Sequence, residues 1–317
     1  MSVYTPLMLS QVQDFAKDYA LNIVEITPIQ GGVENTNYFI TADDQKQYVL
    51  TVFEELDATA AAQLPPVLHH LGQHAVPVAV PLQHHDSFIH MIADKPAQIA
   101  PKIAGKHPMP SRVEQVRVMG DALAKMHVAL QNYDLERANN HDDTWWNNAI
   151  TQLQEVMSEQ DQALLQDVMT KFQQVQQLYP QRPMGLIHAD LFRDNTLYVG
   201  DELSGILDFS EIFRGELLID ISITLNDFCS DFPSVTLDIT KAQAFLNAYQ
   251  QVRKLSQDEL ACLNTYLAMA ACRFWLSRLL MQQRNIAEGR TGEDILQKNP
   301  EEMRLMLIDR LTQEYVW

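Results

Sequence analysis

The stretch His188-Ala189-Asp190-Leu191-Phe192-Arg193-Asp194-Asn195, followed thirteen residues past Asn195 by a second acid, Asp208, decides the reading of this chain. Phosphoryl transfer asks side chains mainly for positioning and charge neutralisation. A carboxylate must sit beside the attacking hydroxyl, and oxygen ligands must hold Mg²⁺ on the phosphates. Asp190 is the candidate carboxylate, orienting a hydroxyl and accepting its proton. Asn195 and Asp208 supply one neutral and one charged oxygen, a set that suits Mg²⁺, which keeps several waters. His188 is expected to hold the loop together. Taken singly, Asp190 could be a turn cap and Asp208 a strand-end cap. The spacing, with an extended Leu186-Ile187 ahead and a hairpin behind, favours the catalytic reading.

Working outward, that hairpin comprises Thr196 to Val199, the turn Gly200-Asp201-Glu202, and Gly205 to Phe209, and it returns Asp208 to the neighbourhood of Asn195. Upstream, the period is helical: Val116, Met119, Leu123, Met126 and Leu130 fall on one face. Further helical patterns cover about 240 to 252 and 258 to 284, with a charged helical tail from Pro300 to Trp317. The first 96 residues read differently. An amphipathic helix about Gln11 to Tyr19 precedes short strands around Ile23 to Ile29, Asn37 to Thr41 and Tyr48 to Phe53. An Ala-rich helix from Ala58 to Leu71 and an extended region through His90-Met91-Ile92 follow. The expected class is therefore α+β, with a β-rich lobe over residues 1–96, a hinge over 97–110, and a larger, mostly helical lobe over 111–317.

The turn Gly31-Gly32-Val33-Glu34-Asn35-Thr36-Asn37 lies between two strands of the small lobe. Two glycines let backbone N–H groups approach a phosphate closely, so Gly31, Gly32, Glu34, Asn35 and Asn37 are the nucleotide candidates. An ordinary β-turn is the plain alternative.

Composition sets bounds on partners. The 317 residues, 46% hydrophobic, suffice for two lobes with real cores. A formal net charge of -18 argues against a nucleic-acid backbone or an anionic membrane surface, both of which need clustered Lys and Arg. Cys229, Cys262 and Cys272 are odd in number and widely spaced, which favours reduced, buried thiols over disulfides or a zinc site. No signal peptide or long apolar span is read, so a soluble cytoplasmic protein is expected. The histidines at 69, 70, 74, 84, 85 and 90 carry no ligand pattern and read as surface or hinge residues.

Together these residues resemble the aminoglycoside phosphotransferase and choline kinase-like superfamily, relatives of protein kinases with a small nucleotide lobe and a larger substrate lobe. Within it the chain is most similar to bacterial homoserine kinases of the kinase-like fold. The likeness rests on Gly32-Val33-Glu34-Asn35-Thr36-Asn37-Tyr38, Val49 to Glu54, Ile187 to Asn195, Leu203 to Phe209 and Arg273 to Leu279. It implies ATP and Mg²⁺ as cofactors, a small amino-acid or amino-alcohol acceptor, and formation of O-phospho-L-homoserine in threonine biosynthesis. A homodimer is left open. Kinases of choline, ethanolamine, a methylthio sugar or an aminoglycoside are the alternative within the class, and a nucleotide-binding pseudokinase is the alternative outside it.

One departure matters. The third strand carries Thr51 where a typical kinase places a Lys, and the Ala58 to Leu71 helix offers no Glu to pair with one. A hydroxyl does not replace an ammonium charge on phosphates, so Mg²⁺, turn amides and a displaced basic residue are expected to carry the triphosphate. For a homoserine acceptor, Arg273 or Arg278 on an apolar helix could meet the carboxylate, and Asp227 or Asp231 the ammonium. A structural partner such as Asp220 is the competing use of those arginines.

Overall fold

The computed structural model describes residues 5–29, 35–289 and 298–317. These divide into two compact units: residues 5–105 with 204–207, and the rest.

The first unit opens with α1 (Leu9–Lys17), whose Val12, Phe15 and Ala16 share one face, and continues into β1 (Ile23–Pro28), β2 (Asn35–Ala42) and β3 (Gln47–Phe53). In β2, Tyr38, Ile40 and Ala42 alternate onto the face that α1 covers, joined there by Leu50, Val52 and Ile99. The Ala-rich stretch, expected as one helix, is two: α2 (Ala58–Ala61) and α3 (Leu64–Gln73). Pro65 and Pro66 explain the break, since proline lacks the N–H and clashes with the preceding turn, and is tolerated only in the first turn of a new helix. β4 (His90–Ile92) and β5 (Lys95–Pro101) complete an antiparallel sheet of order β1-β2-β3-β5-β4. The segment expected as a hinge thus begins as strand: residues 97–100 pair with β3, with Thr51 opposite Gln98 and Val52 opposite Ala97. Residues 204–207 join this unit through the Val78–Ile206 bridge and a 2.6 Å hydrogen bond from Ser204 Oγ to the Ala104 carbonyl.

The second unit is mostly helical: α4 (Val113–Ala129), α5 (Asp143–Leu153), α6 (Glu159–Leu178), then β6 (Met184–Ile187), β7 (Thr196–Val199), β8 (Glu202–Ile206), whose last three residues belong to the first unit, and β9 (Phe213–Glu216), then α7 (Leu217–Phe228), α8 (Ile239–Val252), α9 (Gln257–Ala287) and α10 (Pro300–Thr312). α4 and α8 approach so closely that a Cβ on Gly120 would lie 2.3 Å from the Phe245 carbonyl oxygen, which is why a glycine stands there. α9 begins with a capping box, Ser256 with Glu259, and buries Ala268, Ala271, Trp275 and Leu276 against α5, α6 and α10. β6 pairs antiparallel with β9, Ile187 opposite Phe213, and β7 and β8 form the expected hairpin. No helix among the described residues is long and apolar enough to cross a membrane.

Candidate active site

β6 delivers the chain into the loop that opened the sequence reading. Ile187 and His188 are fully buried, and the His188 ring packs 4.7 Å from the Phe209 ring. Ala189 takes a φ of 65°, a left-handed conformation that a side chain disfavours by about 1–2 kcal/mol. Asp220 on α7 holds it there. One carboxylate oxygen accepts the His188 N–H and the other the Ala189 N–H, both at 2.7 Å. His127 Nε2 lies 3.1 Å from the same side chain, and His127 Nδ1 is 2.7 Å from the Tyr249 hydroxyl. Burial pushes Asp220 up, but His127, His188 and the Ala189 N–H together hold it below the usual carboxylate range.

The loop then presents Asp190. Asn195, in a short 3₁₀ turn (Arg193–Asn195), donates its Nδ2 to the Asp190 carbonyl at 2.8 Å and to the Asp190 carboxylate at 2.9 Å. The His188 ring accepts the Asp190 N–H at 3.3 Å on Nδ1. Desolvation raises the Asp190 pKa to about 7; Lys298 and Arg273 oppose the rise, and Asp208 and Asp194 add to it. A carboxylate poised near neutrality suits proton transfer. The hairpin thus returns a second acid whose charge acts on Asp190. Asp208 itself is exposed, has a φ of 55°, and accepts from Ser210 Oγ at 2.6 Å.

This geometry agrees with a match over residues 25–255 to the model of a phosphotransferase enzyme family. The chain belongs to that phosphotransferase family. Homoserine kinase of Janthinobacterium sp. (strain Marseille) is 34% identical to it over 284 residues, 88% of each chain. Homoserine kinase of Neisseria meningitidis serogroup B (strain ATCC BAA-335 / MC58) is 34% identical over 310 residues, 97% of this chain and 99% of its own. Among solved structures, an amicoumacin kinase in complex with AMP-PNP, Ca²⁺ and Ami superposes with a TM-score of 0.66 at 20% identity, over 96% of this chain and 95% of its own. That likeness shows the fold, and with it the small sheet lobe and larger helical lobe read from the sequence.

The phosphotransferase's remaining charged residues divide sharply. Arg273 on α9 reaches the loop: its Nη1 donates to the Ala189 carbonyl at 2.8 Å and its Nη2 to His141 Nδ1 at 3.0 Å. It lies 3.6 Å from Glu211, and its Nε is buried without a partner. Burial lowers the Arg273 pKa, with Glu211 and Asp190 opposing the shift. Burial also lowers the His141 pKa, with the nearby Arg273 charge adding to the shift and Glu211 opposing it. Glu211 stays ionised, because His141, Arg273 and Asn140 more than offset its own burial.

Arg278 points elsewhere, to Glu302 at 2.6 Å and the Asn299 carbonyl at 2.8 Å, tying α9 to α10. Asp227 accepts the Arg193 backbone N–H at 2.6 Å and its Nε at 3.1 Å, while Asp231 takes Arg193 Nη1 at 2.6 Å. Arg278, Asp227 and Asp231 are thus each engaged within the fold, bracing α9 and the loop. The competing suggestion that Asp220 pairs with an arginine is corrected, since its hydrogen-bond partners are His127 and the loop backbone. Sequence reasoning missed Glu211, His141 and Lys298. Glu211 alone carried a signal, three residues past Asp208.

In the first unit, Thr51 Oγ1 donates to Asn37 Oδ1 at 2.8 Å across β2 and β3. Asn35 also lies on β2, whereas Gly31, Gly32 and Glu34 lie outside the described residues. No cluster of three or more His, Cys, Asp or Glu side chains suited to a metal occurs among the described residues. A divalent ion held by Asn195 and Asp208 would therefore complete its shell with phosphate oxygens and water, the usual habit of Mg²⁺.

Proposed function

We propose that this phosphotransferase moves the γ-phosphoryl group of ATP to the side-chain hydroxyl of L-homoserine. The observation that carries the mechanism is Asp190, clasped by Asn195 and raised to a pKa of about 7 by desolvation. The 34% identity to homoserine kinases over most of the chain supports the acceptor. In the reaction the hydroxyl gives its proton to Asp190 and its oxygen bonds to the γ-phosphorus. The bond from that phosphorus to the β–γ bridging oxygen breaks, and ADP leaves with the electron pair. Mg²⁺, when bound by Asn195 and Asp208, supplies charge neutralisation on the phosphates. Gly31, Gly32, Glu34, Asn35 and Asn37 are assigned to the nucleotide. Arg273, whose buried Nε has no partner, is assigned to the acceptor's carboxylate, and the ionised Glu211 beside it suits the ammonium. A cytoplasmic location is part of the same proposal.

The test is ADP release with Mg-ATP against a panel of homoserine, choline, ethanolamine and an aminoglycoside. Saturable turnover with homoserine alone is expected, and Asp190→Asn should lower it by about 10²–10⁴-fold while ATP affinity changes little. Turnover with another acceptor, or none despite ATP binding, refutes the assignment.

A further inference from the structure

The small lobe leaves a charge unaccounted for, and its own lysines do not supply it. Residues 1–105 contain four lysines, Lys17, Lys46, Lys95 and Lys102, and no arginine. Lys17 pairs with Asp14 on α1, and Lys46 with Asp44 in the β2–β3 turn. Lys95 is tied to Glu54, and since side chains alternate along a strand, its three-residue offset from Gln98 puts it on the sheet face opposite Thr51. Lys102 shares the face of Thr51 but stands four residues beyond Gln98, about 13 Å along β5, with its ammonium 4.2 Å from the centre of the Phe39 ring. The unit that carries Asp190 holds further cations.

There, one lysine meets the catalytic loop from a distant part of the chain. Lys298 immediately precedes the Asn299 cap of α10, and its ammonium lies 2.6 Å from Asp194 and 4.9 Å from the centre of the Phe192 ring. Its charge acts on Asp190 more strongly than that of Arg273. Half of the Lys298 side chain is exposed, and Asp194 is only partly buried, so the ammonium can be reached by an incoming anion. The two cations also differ in chemistry. The buried planar fork of Arg273 suits a carboxylate, whereas an exposed ammonium suits phosphate as a point charge.

We infer that Lys298 is a catalytic residue of the phosphotransferase, engaging the γ-phosphoryl group as it passes to the acceptor. The inference rests on the reading of Asp190 as the transfer site, and its test separates from that reading because nucleotide binding needs no acceptor.

The experiment compares binding of Mg²⁺-AMP-PNP and Mg²⁺-ADP by titration calorimetry in the wild type, Lys298→Gln and Lys298→Arg, alongside steady-state kinetics with homoserine. Lys298→Gln is expected to weaken AMP-PNP by about 10-fold or more while ADP stays within about 2-fold. It should lower kcat by about 10²-fold with the KM for homoserine nearly unchanged, and Lys298→Arg should recover part of the loss. If both nucleotides weaken equally, or neither does, the lysine merely ties the α10 segment to Asp194 and the inference falls. A rise confined to the homoserine KM overturns it in favour of carboxylate binding. Should Lys298→Gln fail to fold, Lys298→Arg, which retains the ion pair to Asp194, carries the test: an unchanged ratio of AMP-PNP to ADP affinity overturns the inference, and a ratio shifted by about 3-fold or more supports it. Failure of the wild type to phosphorylate homoserine, with the nucleotide contrast intact, would count against the acceptor and not against Lys298.

Discussion

Asp220→Asn isolates the part of the site that acts without touching substrate. The carboxylate has no exposure and accepts the backbone N–H groups of His188 and Ala189, one on each oxygen. Asparagine keeps the shape but offers one oxygen and one amide NH₂, so one of the two N–H groups would face another donor. Losing a hydrogen bond to a charged group costs about 1.5–3 kcal/mol and stranding a buried donor about 1–3 more. Allowing for overlap between these, the expected destabilisation is about 3–5 kcal/mol, comparable to breaking a buried charge interaction. For a chain of this size that is roughly 5–10 °C in melting temperature. The strained Ala189 would relax as well, and a displacement of the neighbouring Asp190 by about 1 Å can lower turnover by about 10²-fold. Differential scanning calorimetry with kcat measured below the melting transition reads both effects. A variant that melts and turns over like the wild type would refute the clamp. A melting point that falls while kcat holds would show that Asp220 stabilises the lobe without positioning Asp190.

Two further contrasts check the charge assignments. Arg273→Met should raise the KM for homoserine by about 10²-fold with little change for ATP, because a charged hydrogen-bonding pair is lost from the acceptor side. Arg278→Met should leave both KM values within about 2-fold and instead lower stability by about 1–3 kcal/mol through its tie to Glu302; the opposite pattern in steady-state kinetics would reverse the assignments. In the small lobe, burial pushes Glu54 up, but hydrogen bonds from Lys95, Thr36 and Thr5 more than offset it and leave its pKa depressed. Its contribution should be fully present above an unfolded value of 4.5 and disappear as pH falls through the lower folded value. Glu54→Gln should therefore destabilise by about 1–2 kcal/mol at neutral pH, with the gap to wild type in urea midpoint closing below that value. A gap that stays constant to pH 3.5 would show that the ionised carboxylate is not what holds the strand ends.

What could be read from the sequence was what spacing along the chain determines. Asp190 and Asn195 belong to one loop, and the β7–β8 hairpin needs only a short turn at Gly200, whose φ of 65° a glycine adopts freely, to send the chain back to Asp208. The strands of the small lobe were legible because alternation is a local pattern. The acceptor side was not, for a reason visible in α9. Arg273 and Arg278 look equivalent in sequence, both on an apolar helix, yet five residues at 3.6 per turn set them about 140° apart around the axis. One therefore meets the Ala189 carbonyl and the other meets Glu302 on α10. Which partner a buried charge finds depends on which element packs against that side of the helix, and periodicity does not record it. Lys298 stands at the far end of this argument. It is 108 residues from Asp190 in the chain, in a segment with no motif, and only the placement of α10 brings its charge to the loop. Homoserine kinases 34% identical to this chain over most of its length are active-enzyme relatives by name, so the absence of a lysine at Thr51 is weak evidence that this site is inactive.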